Sequence, residues 1–585
     1  MKAIDSLRSC CGGRKPRNQP GPPIRDSVKQ TIERLRENPN NAAEQTKATK
    51  AFDQHLDVVF DVLREEIRRQ PAPPAPGAAP VIPPTVPLLD EERDWFNSVG
   101  EQRCTPLKKV RPATLKELVD VVLAAGQSGS RVRAVGSGHA FSDIARTDNA
   151  VLVNPILLNN VEAANVELLK ETARSETLVN VQSGISLKLL KEELDHRGLA
   201  LINMGGYDAQ TISGTFATGT HGSGVAFGPM SSFARAIVLV SDAGKVYQVE
   251  RTNGITDPAK FAGKIDGVDV TLKQDDEWFR AISTSMGCTG IVFSYVIQVT
   301  AAYSVRELRS STTWEDIKKS LAPNLWNPLP APIASNDHFE LVLNPYDVLF
   351  RNACIKVERK RVGDAAPSGE RQDWFERLLQ EISIQSAPDL VDFLNSIPFL
   401  SPLIIDAAIN TLVYEEPYTD RSFNVFSLGS ANEIKAMALE LHCDARETVP
   451  TVDKLLAVLQ GRVREAQWYL AGPVGIRWVA ASDGFLAPQS GRLTCTMELT
   501  MLVGVRKGLE LVRHVKEEMC GTDSTSVRVH WGLDLDLVTK DDIRGWYPDF
   551  DRWYRVYREL NPSGMFNNKF TDRVGISLPP SEVSG

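Results

Sequence analysis

The sequence predicts an α+β architecture: two large domains behind a helical N-terminal extension. Three observations carry that expectation. The 585 residues exceed one ordinary domain, and a composition 42% hydrophobic and 24% charged can bury a large core. Between about 89 and 300, short β-rich runs alternate with helical ones. Between about 301 and 540 the text is less regular, mixing long helical stretches with strands and showing no internal repeat.

In chain order, residues 1–27 are basic, with glycine and proline, and read as a disordered tail. Residues 28–70 read as a helical extension, its first helix ended by Asn38-Pro39-Asn40-Asn41. In its second helix Leu56, Val59, Phe60, Leu63 and Ile67 share one apolar face, which needs the main body or another subunit to cover it. Residues 71–88 are a proline-rich, semi-rigid linker. In the first domain (89–300), "TLKELVDVVLAAGQSG" is helical with a glycine exit, "RVRAVGSG" and "TLVNVQSG" are strands, and "SLKLLKEELDHRG" is a helix ending at Gly198. "ALINMGG" follows as a strand, and "ARAIVLVSDAGKVYQVE" as a hairpin around Asp242-Ala243-Gly244. In the second domain (301–540), helices are expected over 370–397, 432–441, 451–467 and 504–519, and a strand at "RLTCTMELTML".

Several function classes are excluded or disfavoured. A net charge of −8 and a pI near 5.7 provide no footprint for nucleic acid. Eight cysteines at 10, 11, 104, 288, 354, 443, 495 and 520 form no CxxC pair, so buried free thiols are expected, with neither a disulfide framework nor a metal site. No apolar run approaches the ~18 residues of a membrane span, and a cytoplasmic location is the default. Cys10-Cys11, beside basic residues, is a loose lipidation pattern that would bring the chain to a membrane. No GxGxxG opens a helix after a first strand, and there is no P-loop.

What remains is a set of glycine turns, each following a strand-like run: Gly136-Ser137-Gly138, Gly205-Gly206, "SGTFATGTHGSGVAFG" and "MGCTG". Glycine allows close backbone approach and lets successive amides face one concavity. Four such turns over ~150 residues suit an extended phosphate-bearing cofactor, although each alone reads as an ordinary turn.

"GSGHAFSDIARTDNAVLVN", "GGYDAQTISGTFATGTHGSG" and "DEWFRAISTSMGCTGIVFSYVIQVT" resemble the FAD-binding (PCMH-type) domain of the vanillyl-alcohol-oxidase flavoprotein family. "VHWG", "DRSFNVF", "MALELH" and "YPDFDRWYRVYRELNPSGMFNNKF" are similar to its sugar-1,4-lactone oxidase and alditol oxidase branch, over roughly 88 to 572. The resemblance implies a two-subdomain FAD domain completed by residues 541–575, an α+β substrate (cap) domain, and FAD joined covalently to His139. It places Gly136, Ser137, Gly138, Ala140, Gly205, Gly206, Ser213, Thr215, Thr218, Gly219, His221, Gly222, Gly224, Gly287, Gly290 and Ile291 at the cofactor. Ala140 stands where the family usually has Ser, and Gly205, where related dehydrogenases have Ala, favours O2 access.

The catalytic candidates are Arg477, His530 and Glu498: a cation for developing alkoxide charge, a base, and a second carboxylate facing the same cavity. Gly475 and Leu533 replace the Glu and Lys of the sugar-oxidising relatives, which implies a roomier, less polar pocket. Asp534 and Asp536 alternate on one strand face and read as exposed acids. The expected reaction is hydride transfer from a CH–OH donor to flavin, with O2 as acceptor giving H2O2. A dehydrogenase acting on a bulkier, less polar substrate and a non-catalytic flavoprotein scaffold docking through its N-terminal helix are the alternatives.

Overall fold

The computed structural model describes Asp26, Ser27, Lys29, Gln30, Arg34 and residues 94–577 apart from 322–327, 349–350, 370–386, 397, 414–415, 429–434, 521–526 and 534. The helical face at 56–67, the proline-rich linker, Cys10-Cys11 and Asp534 lie outside the described residues. Among the described residues no single helix is long and apolar enough to cross a membrane.

The first sheet is three-stranded and parallel, β1 (Lys108–Val110), β2 (Val132–Ala134) and β3 (Val151–Val153), in the order β1-β3-β2. Helix α1 (Leu115–Gln127) crosses from β1 to β2. Thr114 caps it by accepting the Glu117 N–H, and Leu115, Leu118, Val122 and Ala125 form its buried stripe. Gly129, at φ +66°, turns the chain out of it.

A six-stranded sheet follows, from β4 (Val161–Ala163), β5 (Leu178–Gln182), β6 (Ala234–Val240), β7 (Val246–Glu250), β8 (Thr271–Gln274) and β9 (Ile291–Gln298), in the order β8-β7-β6-β9-β5-β4. β6 and β7 form the expected hairpin, with Ala243 and Gly244 both at positive φ. Helices α2 (Leu187–His196), α3 (Ile212–Thr218) and α4 (Asp276–Ile282) belong to this part. Of "ALINMGG" only Ala200 is strand, as the end of Leu199–Ala200. Beyond it the backbone is held by side chains: the Tyr303 hydroxyl donates to the Leu201 and Ile202 carbonyls, and Asn203 Oδ1 accepts the Met204 N–H.

The third sheet has eight strands and is antiparallel throughout. They are β10 (Ser304–Thr313), β11 (His338–Leu343), β12 (Ala353–Arg361), β13 (Tyr418–Arg421), β14 (Ala436–Asp444), β15 (Val474–Val479), β16 (Thr494–Leu502) and β17 (Arg528–Val529), ordered β13-β10-β12-β11-β15-β16-β14-β17. The helix expected over 432–441 is strand β14 where the structure describes it. Its residues are buried almost throughout, so the run lacks the polar alternation that marks a half-exposed strand. Helices α5 (Thr448–Ala466) and α6 (Gly508–Cys520) pack on one face of this sheet. Trp478 Nε1 donates to Thr448 Oγ1 of α5 at 3.2 Å, so Arg477, one residue earlier on β15, points to the opposite face.

The C-terminal segment returns to the beginning. Helix α7 (Phe550–Leu560) packs on α4, and Trp553 Nε1 donates to the Ala281 carbonyl at 3.1 Å. Val132 N–H then bonds the Met565 carbonyl, and Met565 and Phe566 lie in the core that β1–β3 share with α1. The six cysteines of the described region are buried and free.

Candidate active site

The glycine turns converge because each leaves room for its neighbour. A Cβ at Gly136 would run into Thr211, the N-cap of α3. A Cβ at Gly222 would strike the Met204 carbonyl, and Asn203 Nδ2 donates to the Ser223 carbonyl at 2.9 Å, which ties the 203–206 turn to the 219–224 turn. Met286 N–H bonds the Ala217 carbonyl at the end of α3, bringing in the 287–290 turn. That turn is held from below by Arg133, buried, which donates to the Met286 and Phe566 carbonyls at 2.5 and 2.9 Å. Ser213, Thr215 and Thr218 lie on α3, where Thr215 and Thr218 bond carbonyls of the same helix. Gly290, at φ +144°, enters β9 at Ile291, where a Cβ would meet the Val240 carbonyl at 2.6 Å.

His139 is half-buried, its ring edge-on to Tyr207, whose hydroxyl lies 3.1 Å from Nδ1 and 3.2 Å from Nε2. Burial brings its pKa down to about 4, so the imidazole is neutral with a lone pair to offer. The turn is joined to the C-terminal motif: Phe141 N–H bonds the Gly532 carbonyl and Ser142 Oγ donates to the Trp531 carbonyl, both at 2.9 Å. Ala140 carries no hydroxyl, and its carbonyl accepts from Asn97 Nδ2 at 3.0 Å.

Across the seam, the sheet face away from α5 carries a row of charges. Glu307 accepts from Arg359 at 2.6 Å and pairs with Arg309 at 2.9 Å; Arg359 reaches Glu340 at 2.5 Å. Arg477 bonds Glu498 at 2.6 Å and stands 3.9 Å from Glu340 and 3.8 Å from Glu440. Register explains the row, since Glu307 faces Arg359, Glu340 faces Arg477, and Glu498 faces both Gly475 and Glu440. Burial favours protonated Glu340, yet Arg359 and Arg477 outweigh it and bring its pKa down to about 2. Arg477 and Glu498 are the more exposed members, at 23% and 30% of their side-chain surface.

Of the three catalytic candidates, Arg477 and Glu498 are therefore in contact, and His530 follows β17 nearby, its ring stacked on His442 with centroids 6.0 Å apart. Its Nδ1 accepts the Gly532 N–H at 3.0 Å, so in the neutral ring Nε2 carries the hydrogen and acts as a donor; burial pushes the pKa to about 3. In this tautomer it offers no lone pair to a hydroxyl proton. Sequence reasoning missed Tyr207, Glu307, Arg309, Glu340, Arg359, Glu440 and His442. Five of these stand in i, i+2 pairs of polar residues on one strand (Glu307 with Arg309, His338 with Glu340, Glu440 with His442), the signal that could have found them. Gly475 does lack a carboxylate, but neighbouring strands supply three around Arg477, so this part of the seam is charged rather than apolar.

The turns fit a flavin nucleotide on two counts. Gly136 and Gly222 stand where a Cβ would collide with the adjoining segment, and Ser183 Oγ and Gln489 Oε1, buried beside α3 and Gly219, have no hydrogen-bond partner in the protein.

Known proteins resemble the chain on both sides of this seam. Residues 106–250 match the family described as an FAD binding domain, and residues 296–574 that of D-arabinono-1,4-lactone oxidase. The L-gulono-1,4-lactone dehydrogenase of Mycobacterium tuberculosis is 27% identical over 484 residues, 82% of this chain and 98% of that protein. The alditol oxidase of a Streptomyces species is 26% identical over 482 residues, 81% of this chain and 97% of that enzyme. Among solved structures, a cholesterol oxidase from B. sterolicum superposes with a TM-score of 0.63 at 15% identity, over 85% of this chain and 100% of that one, which speaks for the fold. With converging turns on one side, a charged sheet face on the other and a match to each, the chain belongs to the sugar-lactone oxidase and alditol oxidase branch of the PCMH-type flavoproteins and is an FAD-dependent oxidoreductase.

Proposed function

We propose that the protein oxidises a CH–OH donor, holds FAD covalently through His139, and uses O2 as acceptor to give H2O2. The observation that carries this reading is the bonding of the His139 turn to the 530–532 segment, which is linked to the Arg477–Glu498 pair through Glu440: the Glu440 carbonyl accepts the His530 N–H at 3.1 Å and its carboxylate lies 3.8 Å from Arg477. FAD, when bound, accepts the hydride and returns the electrons to the acceptor. The Arg477 guanidinium donates to the donor's oxygen and stabilises alkoxide charge as the C–H bond weakens. Glu498, 2.6 Å from Arg477, takes the hydroxyl proton, with His530 donating through Nε2 where the sequence had suggested a base. The buried neutral His139 is the nucleophile for the tether, and Tyr207 orients its ring.

Acid precipitation tests the tether. A yellow wild-type pellet and a colourless His139→Ala pellet are expected; flavin in the wild-type supernatant would remove the role of His139, and no flavin in either fraction would overturn the cofactor reading. A second reading, a dehydrogenase for a bulkier, less polar donor, is favoured by the space at Gly475, where an added Cβ would approach only the Arg477 guanidinium, at 3.8 and 3.9 Å. Leu428 supplies an apolar wall, 2.8 Å from a Cβ placed on Gly206, and the mycobacterial relative is named a dehydrogenase. Turnover with O2 against turnover with artificial acceptors, over polyols, lactones and apolar alcohols, separates the two readings. Failure of every donor to bleach the flavin would leave only a scaffold.

A further inference from the structure

We infer that His221, Glu440 and His442 form a binding site for a divalent metal ion of the zinc type, at the seam between the glycine turns and the eight-stranded sheet. The three residues are buried, and their ligand atoms all lie within 4.8 Å of one another. Glu440 Oε2 is 3.3 Å from His221 Nε2 and 3.3 Å from His442 Nε2. Tetrahedral zinc, with nitrogen and oxygen ligands at about 2.0–2.2 Å, sets its ligand atoms roughly 3.3 Å apart.

The tautomer of His221 is set for this role. Its Nδ1 lies 2.8 Å from the Gly222 carbonyl, which can only accept, so Nδ1 carries the hydrogen and Nε2 is left toward Glu440. A bare lone pair facing a carboxylate is repulsive, so a proton or a metal ion must lie between them. The second imidazole favours the metal. His442 has no exposed surface, neither of its ring nitrogens has a hydrogen-bond partner, and Nε2 approaches Glu440 out of line for a hydrogen bond. The surrounding charges balance: four carboxylates (Glu307, Glu340, Glu440, Glu498) meet four guanidiniums, Arg309, Arg359, Arg477 and Arg492, the last donating to the His442 carbonyl at 2.9 Å, so the case for the ion rests on the ligand geometry.

The ligands come from two bodies, His221 from the 219–224 turn and Glu440 and His442 from β14. A bound ion would therefore clip the cofactor side of the molecule to the sheet, with a fourth position for water. The inference is independent of the substrate and of the His139 tether. To test it, the flavin-loaded full chain is stripped by chelator dialysis, then given Zn2+ or Co2+, passed over a desalting column and assayed by elemental analysis. About one ion per chain, a tetrahedral Co2+ visible spectrum and a Zn2+-dependent rise in Tm are expected. His442→Ala and Glu440→Gln should each weaken metal affinity by more than about tenfold, while His514→Ala, away from the cluster, should not. Should the variants fail to fold, the wild-type Co2+ spectrum decides alone. No retained ion, an octahedral Co2+ spectrum, or undiminished binding in His442→Ala would overturn the site and leave His221 and Glu440 as an imidazolium–carboxylate pair.

Discussion

Arg477 gathers three carboxylates from three neighbouring strands, and its planar fork already bonds one of them at 2.6 Å. Arg477→Lys keeps the charge and loses the fork; kcat should fall by about two orders of magnitude while the flavin spectrum is unchanged, which steady-state kinetics checks. Gly205 has a different constraint. A methyl there would lie 3.2 Å from the His221 carbonyl and 3.6 Å from Thr220 Cγ2, so Ala fits only after the turn shifts by a few tenths of an ångström. Gly205→Ala should slow reoxidation by O2 more than reduction by donor, in stopped-flow traces of the two half-reactions. At this scale the sequence was most legible where a residue type admits few readings. The glycine turns could be located from it as turns, and the structure ties the 203–206 turn to the 219–224 turn. Glu440 and His442 could not, because 432–441 read as a helix would send residues two apart to different sides, whereas a strand puts both on one face.

Among the elements, α7 shows how an exposed-looking aromatic run becomes a core. Phe550, Trp553, Val556, Tyr557 and Leu560 recur at three- and four-residue spacings and are buried. Trp553 has no exposed surface and bonds the Ala281 carbonyl, so Trp553→Ala should cost about 3–5 kcal/mol through cavity and lost hydrogen bond, read by urea denaturation of the apoprotein. Helices with a capped start and a striped face were legible, α1 and α2 among them. The central strand β14 was not, since burial on both sides removes the alternation that sequence reading depends on.

For the whole molecule, acid is the weakness. Burial lowers the pKa of His338 to about 4 and that of His530 to about 3, so both stay neutral in the fold although an unfolded imidazole protonates near about 6.5. The stability they confer is complete above that value and lost as pH falls toward 4 and 3. Glu340 runs in the same direction, because its pKa of about 2 means its contribution also disappears in acid. In the metal-free protein His221 has the opposite sign: burial would lower its pKa, but Glu440 raises it, so its contribution fades as pH rises through the folded value. Between about pH 6 and 4 the two imidazoles act together, while Glu340 adds its effect mainly below that window and His221 acts above it, so the denaturation midpoint should fall steeply there; a flat profile would contradict the neutral buried imidazoles. The two-part α+β plan was legible at this scale from alternation and composition, whereas the seam was not, because its charges come from strands scattered from β10 to β16 and meet only through register.

The return of Met565 and Phe566 to the first sheet has a consequence for biosynthesis. Strand β2 bonds a carbonyl more than 430 residues downstream, and the Arg133 that holds the 287–290 turn also donates to the Phe566 carbonyl. A ribosome translating from the N-terminus therefore releases the second domain's sheet before the first sheet has its last partners. The nascent chain must wait, with its first sheet incompletely packed, until translation is nearly over.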